Sequence, residues 1–251
     1  MLLRPQFRLS FWFAILISFA AFFSACSSSE KIPDSAEGLF KHAQELEKDE
    51  RFEEALARYQ DVKNKHPYSR FATQSEMAIA DIHFRREEYP EAQVAYQTFR
   101  EFHPKHERID YVTSQLGLSF FHQLPSTIDR DLTLAERAIN YFDEVLLKYP
   151  KSEFAKGAAE KRAESIKMLA EKEAYIADFY FRKESYDSAL GRYENLLAKY
   201  KGAGLDAHAL KGAALSAFRS GENDKAKAYY AKLKAEFPSA SETDDVKREL
   251  K

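Results

Sequence analysis

A single thiol offers the most specific chemistry in this 251-residue chain. Cys26 directly follows Ser24 and Ala25, which close an apolar run over residues 9–23, and Arg4 and Arg8 lie ahead of that run. A basic start, an apolar stretch and small residues before a cleavage point are what a signal peptidase recognises. Cys26 is therefore placed to begin an exported protein and to carry lipid on its sulfur. The run is shorter than the roughly 20 apolar residues of a membrane span, and it gives way at once to SSSEKIPDS. Other chemical candidates are weaker. His66 and His103 recur 37 residues apart, each just before a proline, so a structural repeat explains them. His103 and His106 have the separation of two metal ligands on one helix. Pro104 breaks that helix, and no cysteine or acid completes a recognised metal site. No serine lies in a nucleophile elbow and no glycine-rich loop could hold a phosphate. Acid pairs such as Glu53 and Glu54 read as solvated helix faces. The expectation is a non-enzymatic protein with neither metal nor cofactor.

The residues around Cys26 resemble a bacterial lipobox, with Phe23 where that motif usually has Leu and Ser27 where an inner-membrane retention signal has Asp. This resemblance implies sorting to the outer membrane; plain secretion with one stray thiol is the alternative. Residues 1–25 then form the signal peptide and 26–34 a lipidated tether, whose eight residues from Ser27 to Asp34 span roughly 26 Å when extended. Stable anchoring needs more than one acyl chain. Loss of Arg4 and Arg8 moves the formal charge from -2 to -4, so the exported chain offers no general attraction to nucleic acid or anionic headgroups. With one cysteine no internal disulfide is available, and the fold must rest on its apolar core.

The core is written as a repeat. Ala43, Ala55, Tyr59, Val62 and Pro67 return 37 residues later as Ala80, Ala92, Tyr96, Phe99 and Pro104. The grid fits again at Ala138, Phe142, Val145 and Pro150, at Ala177, Ala189, Tyr193 and Leu196, and at Ala214, Ala226, Tyr230, Leu233 and Pro238. This is a tetratricopeptide pattern. Small residues let two antiparallel helices approach, an aromatic fills the space between them, and proline ends the second helix. The fold expected is all-α, a solenoid of five helix pairs.

Two departures from the grid carry information. Gly117 precedes Ala138 by 21 residues instead of 12, so an inserted loop including PSTIDRD should protrude from the third pair. Ala138 and Ala189 are 51 apart instead of 37, and no proline interrupts residues 152–182, which predicts one long helix between repeats three and four. That helix divides residues 35–150, an N-terminal trio, from residues 151–251, which hold the helix and a C-terminal pair. The fourth repeat lacks its proline, and its second helix should stop at Gly202 or Gly204.

A solenoid of this kind presents a concave groove. The grid directs Phe40 and Gln44, then Met77, Asp81 and Phe84, then Tyr111, Ser114, Leu118 and Phe121 toward it. Arg85 and His122 adjoin this apolar, aromatic surface, where a cation could meet a peptide carboxylate, so the groove would suit an extended segment ending in an aromatic residue. The same stripe reads equally as inter-repeat core, because Phe181 and Phe218 occupy matching positions.

Anchor, tether and repeats, together with HPKHERIDYVTSQLGL and YPKSEFAKGAAEKR, resemble the BamD (ComL) family of outer membrane assembly lipoproteins. The most specific residues are His106, Ile109, Asp110, Tyr111 and Gly117, then Asp129-Arg130-Asp131, then Tyr149-Pro150 with Ser152. The resemblance implies a non-catalytic subunit of the β-barrel assembly (Bam) machinery at the periplasmic face of the outer membrane. It implies contact with the barrel protein BamA and other Bam subunits, and reception of unfolded outer-membrane proteins, with substrate signals at the N-terminal repeats. The arginine associated with BamA falls on Arg192 in LGRYENLL. Another periplasmic tetratricopeptide lipoprotein, coordinating peptidoglycan machinery, is the alternative; such proteins have an N-terminal coiled coil and a long polar linker that this chain lacks.

Overall fold

Each period of the repeat folds as two antiparallel helices. In the computed structural model, which describes residues 34–250, the first three pairs are α1 (Ala36–Lys48) with α2 (Phe52–Lys65), α3 (Arg70–Arg85) with α4 (Tyr89–Phe102), and α5 (Ile109–His122) with α6 (Thr133–Lys148). The fourth and fifth are α7 (Ala155–Arg182) with α8 (Tyr186–Lys199) and α9 (Asp206–Arg219) with α10 (Asn223–Glu236). A last helix, α11 (Ser241–Glu249), follows. The expected signal peptide, Cys26 and the expected tether up to residue 33 lie outside the described residues.

The grid residues are the core. Ala43, Ala55, Tyr59 and Val62 are buried, as are Ala80, Ala92, Tyr96 and Phe99 in the next period. Removing such surface from water contributes about 25 cal/mol per Å2, and alanine at the crossings lets large rings do most of that burying. Gly117 makes the same point: a Cβ there would lie 2.8 Å from the Phe142 ring, so α5 and α6 approach this closely only because the position is glycine. Tyr230, in the last pair, is only partly covered and packs beside Leu233 and Val246.

Turns and terminators follow from backbone chemistry. Helices α2, α4, α6 and α10 are capped by His66, His103, Tyr149 and Phe237, each one residue before a proline that disfavours helical geometry in its predecessor. Within pairs, the tight turn needs one left-handed residue, supplied by Glu50, Glu87, Glu184 and Gly221. Helix α8 ends at Lys199, ahead of the expected glycines. Gly202, at φ +84°, instead shapes the following turn and donates its N–H to the Asp206 carboxylate at 3.0 Å.

The long helix changes partners along its length. Ala158, near its start, belongs to the cluster of Leu116 and Phe142, whereas Ala170, Ala174 and Ala177 belong to that of Leu190 and Tyr193. The inserted loop does not simply protrude. Leu132 at its end is buried, and Lys172 of α7 donates to the Arg130 carbonyl, tying the loop to the long helix. Helix α11 is additional to the five expected pairs. Its Val246 packs on Leu210, Ala214 and Leu233, covering the open end of the solenoid as terminal caps do.

Candidate functional site: two clefts and an exposed arginine

A cleft of about 330 Å3 opens between α1 and α3. Phe40 and Met77 form its floor and are more than nine-tenths buried, so both are shared between core and cleft. Around them stand polar groups fixed by hydrogen bonds. Asp81 accepts from the Tyr96 hydroxyl at 2.6 Å and the Tyr111 hydroxyl at 2.7 Å. Burial raises the Asp81 pKa, and the two hydroxyls only partly oppose it. Burial and the neighbouring Asp81 carboxylate push Tyr111 up to about 12, so it remains a donor. The Tyr59 hydroxyl donates to Glu47 at 2.5 Å, and burial pushes its pKa upward as well.

The cations stand differently from the sequence expectation. Arg85 turns to Glu47, 38 residues earlier, and stacks over Phe52 at 5.2 Å, so it serves an ion pair across the first two repeats. His122 stacks on Tyr89 at 4.8 Å, and burial lowers its pKa, with Lys161 adding to the effect. Both effects favour the uncharged ring. Arg108 lies at the cleft mouth over the Tyr111 ring at 4.2 Å, with no ion pair among the described residues. The spacing grid gave no signal for it, because it lies in the turn before α5.

The remaining aromatic positions gather one repeat further on. Phe84 meets Tyr89 edge-on at 5.4 Å and His122 at 5.8 Å, while Lys161 of the long helix sits 4.5 Å over Phe121. Leu118 packs partly buried against the same cluster. The structure thus divides the predicted groove: Phe40, Met77 and Tyr111 adjoin the first cleft, and Phe84, Leu118 and Phe121 form a half-buried patch beside it.

The histidines flagged for metal spacing have other partners. His103 lies 2.6 Å from Glu76, and His106 packs edge-on to Phe99 at 5.1 Å. Among the residues that carried the family resemblance, Ser152 donates to Asp110 at 2.7 Å and accepts from the Phe154 N–H at 3.2 Å. That bond pins the start of α5 to the entry of the long helix, which fixes where the trio meets it.

A second cleft, about 180 Å3, opens between α7 and α9. Its Asp178 accepts from Tyr193 at 2.5 Å and faces His208 at 2.9 Å. Burial raises the Asp178 pKa, but His208 and Tyr193 outweigh it and the net shift is downward. Phe181, Arg182, Lys211 and Leu215 complete the lining.

Arg192 lies on α8 with its side chain 44% exposed. Its Nη1 stands 3.3 Å and 3.5 Å from the two carboxylate oxygens of Glu173, which is itself 9% exposed. The contact is long for an ion pair, so the guanidinium is held loosely in a shallow groove with Tyr180 and Asn195.

A family model described as "Outer membrane lipoprotein", YfiO, matches residues 33–233. The outer membrane protein assembly factor BamD of Neisseria meningitidis serogroup A is 24% identical over 204 residues, spanning 74% of this chain and 76% of that protein. BamD of Vibrio cholerae is 24% identical over 195 residues, spanning 74% and 81%. Among solved structures, the TPR2AB domain of yeast Sti1 in complex with pHSP90 aligns at a TM-score of 0.42 and 16% identity, over 86% of this chain and 82% of that one.

Proposed function

The chain belongs to the YfiO family of outer membrane lipoproteins, and from that premise we propose that it is a non-catalytic scaffold of the β-barrel assembly machinery. The observation that carries the reading is the family match across nearly the whole repeat array, from residue 33 to residue 233. Lipid on Cys26 holds the molecule at the periplasmic face of the outer membrane. The C-terminal pair docks on the periplasmic domains of BamA, with Arg192 offering its half-exposed guanidinium to an acid of that partner. Other Bam subunits join the same assembly.

The trio receives unfolded outer-membrane proteins. Phe40 and Met77 supply an apolar floor for side chains, Tyr111 a rigid polar wall, and Phe84, Leu118 and Phe121 an adjoining patch over which an extended segment can continue. Arg85 contributes by holding Glu47 and so fixing the angle between the first two repeats. No step requires bond making. Two weak contacts on one anchored body gain through effective concentration, which is how a scaffold passes a chain to its partner.

The test is a tagged pull-down from detergent-solubilised membranes with mass spectrometry after a moderate salt wash. Recovery of a large β-barrel protein carrying periplasmic repeat domains is expected. Recovery of peptidoglycan synthases alone would overturn the proposal and move the chain to the role of an envelope coordinator.

A further inference from the structure

The two clefts occupy the same place in the repeat grid. Gln44, Glu47, Tyr59, Met77 and Asp81 of the first stand 134 residues before Asp178, Phe181, Tyr193, Lys211 and Leu215 of the second. Each therefore lies at the first junction of its group, trio or pair. The tyrosine is kept and everything that decides charge is changed. Glu47 is replaced by Phe181, Met77 by Lys211, and the buried carboxylate Asp81 by Leu215. The first cleft holds Glu47, Asp81 and Glu107 against Arg108; the second holds Arg182 and Lys211 against Asp178.

We infer that the cleft between α7 and α9 is a second polypeptide-binding site, which takes one apolar side chain together with an adjacent carboxylate. The apolar side chain enters between Phe181 and Leu215. Gly212 lets the Tyr193 ring, which walls the cleft, settle directly against α9, because a side chain there would run into it. A volume of about 180 Å3 is below the roughly 300–1,000 Å3 of small-molecule pockets and matches a single large side chain. The carboxylate meets Arg182, which is exposed and has no ion-pair partner among the described residues. The other charges are already matched: Lys211 lies 2.7 Å from Asp245 of α11, and Asp178 is held by Tyr193 and His208. An acid-bearing segment is thus favoured here and disfavoured at the first cleft, where Arg85 takes up Glu47 and the acids Asp81 and Glu107 still face Arg108 alone. The trio would hold uncharged stretches of an unfolded chain and the pair its acidic or carboxylate-terminated stretch. This rests on the reading that the protein receives unfolded polypeptide.

The test uses the whole mature protein in detergent micelles and fluorescence anisotropy. The probes are a fluorescein-labelled octapeptide of alternating apolar and polar residues ending in a free phenylalanine carboxylate, and the same peptide as its C-terminal amide. The acid should bind about tenfold tighter than the amide, as one charge-assisted hydrogen bond allows. Arg182→Glu should remove that difference, and Leu215→Asp should weaken both peptides, with helical circular dichroism unchanged in each variant. Arg108→Glu should leave the acid-to-amide ratio intact. An acid-to-amide ratio unaltered by Arg182→Glu, or one abolished by Arg108→Glu, overturns the inference while leaving capture by the trio standing. Absence of binding by either peptide to the unaltered protein overturns the chain-receiving reading itself, and the inference with it.

Discussion

Gly212→Ala should destabilise the C-terminal pair although it exchanges a poor helix former for the best one. A Cβ at this position would lie closer than 3.0 Å to three atoms of the Tyr193 ring, and no real side chain tolerates that. The ring cannot step aside cheaply, because Tyr193 is 3% exposed and its hydroxyl is bound to Asp178 at 2.5 Å. Overpacking of this kind costs about 1–3 kcal/mol. Weakening a hydrogen bond to a charged group adds about 1.5–3 kcal/mol if the bond is lost outright. Against this stands a helix-propensity gain of about 1 kcal/mol. The net loss with the bond broken is about 1.5–5 kcal/mol, or roughly 3–20 °C in thermal midpoint for a chain of this size. Gly191→Ala is the control: it lies in α8 with no atom within 4 Å of the added methyl, so it should stabilise by about 0.5–1 kcal/mol. The assay is thermal unfolding of the mature protein followed by circular dichroism. Equal midpoints for Gly212→Ala and the unaltered protein would refute the packing argument and, with it, the role of this glycine in seating the Tyr193 ring that walls the cleft.

Three further predictions follow from particular contacts. Arg192→Gln should cost about 1 kcal/mol in denaturant unfolding, since it leaves the buried Glu173 carboxylate without its cation; Arg192→Gln with Glu173→Gln should restore stability but not BamA binding, and restored binding would remove Arg192 from that contact. Asp81 and Asp178 should respond to pH with opposite sign. The raised pKa of Asp81 means its ionisation weakens the fold as pH rises through that value, so Asp81→Asn should gain stability at pH 7 and lose the advantage in acid. The lowered pKa of Asp178 contributes stability that is present above the ordinary carboxylate range and lost as pH falls through its folded value, so Asp178→Asn should be less stable at pH 7. Parallel pH profiles for the two variants would contradict this. Glu87→Gly, at φ +61°, should raise stability by about 0.5–1 kcal/mol by relieving a left-handed glutamate, and an unchanged or lower midpoint would show that the turn is not strained.

The repeat grid made the fold legible because each of its positions has one physical job. Alanine at a helix crossing, an aromatic between helices and a proline after them leave little freedom, and Tyr59, Tyr96 and Phe99 are buried accordingly. The long helix was equally legible, since a spacing 14 residues longer than the period and filled by an unbroken run of helix formers has no other solution. The clefts were not. Whether Arg85 faces a ligand or Glu47 depends on a pairing across 38 residues, and whether His122 is charged depends on the rings and lysine around it. Gly212 was visible as a glycine, but its consequence depends on where the Tyr193 ring settles. The capping helix escaped because Val246 and Leu250 offer only two apolar positions in a highly charged segment. The charge reversal between the clefts is itself written in the sequence, at an offset of 134 residues, but only the junction residues carry it and not the core positions of the grid.

The most direct test of the scaffold reading is depletion of this protein in its own cell, with the folded fraction of outer-membrane β-barrel proteins followed by their heat-modifiable migration on gels. The account predicts that folded barrels fall within a few generations while their unfolded forms accumulate and are degraded. Normal levels of folded barrels, alongside a defect confined to cell-wall crosslinking, would contradict it.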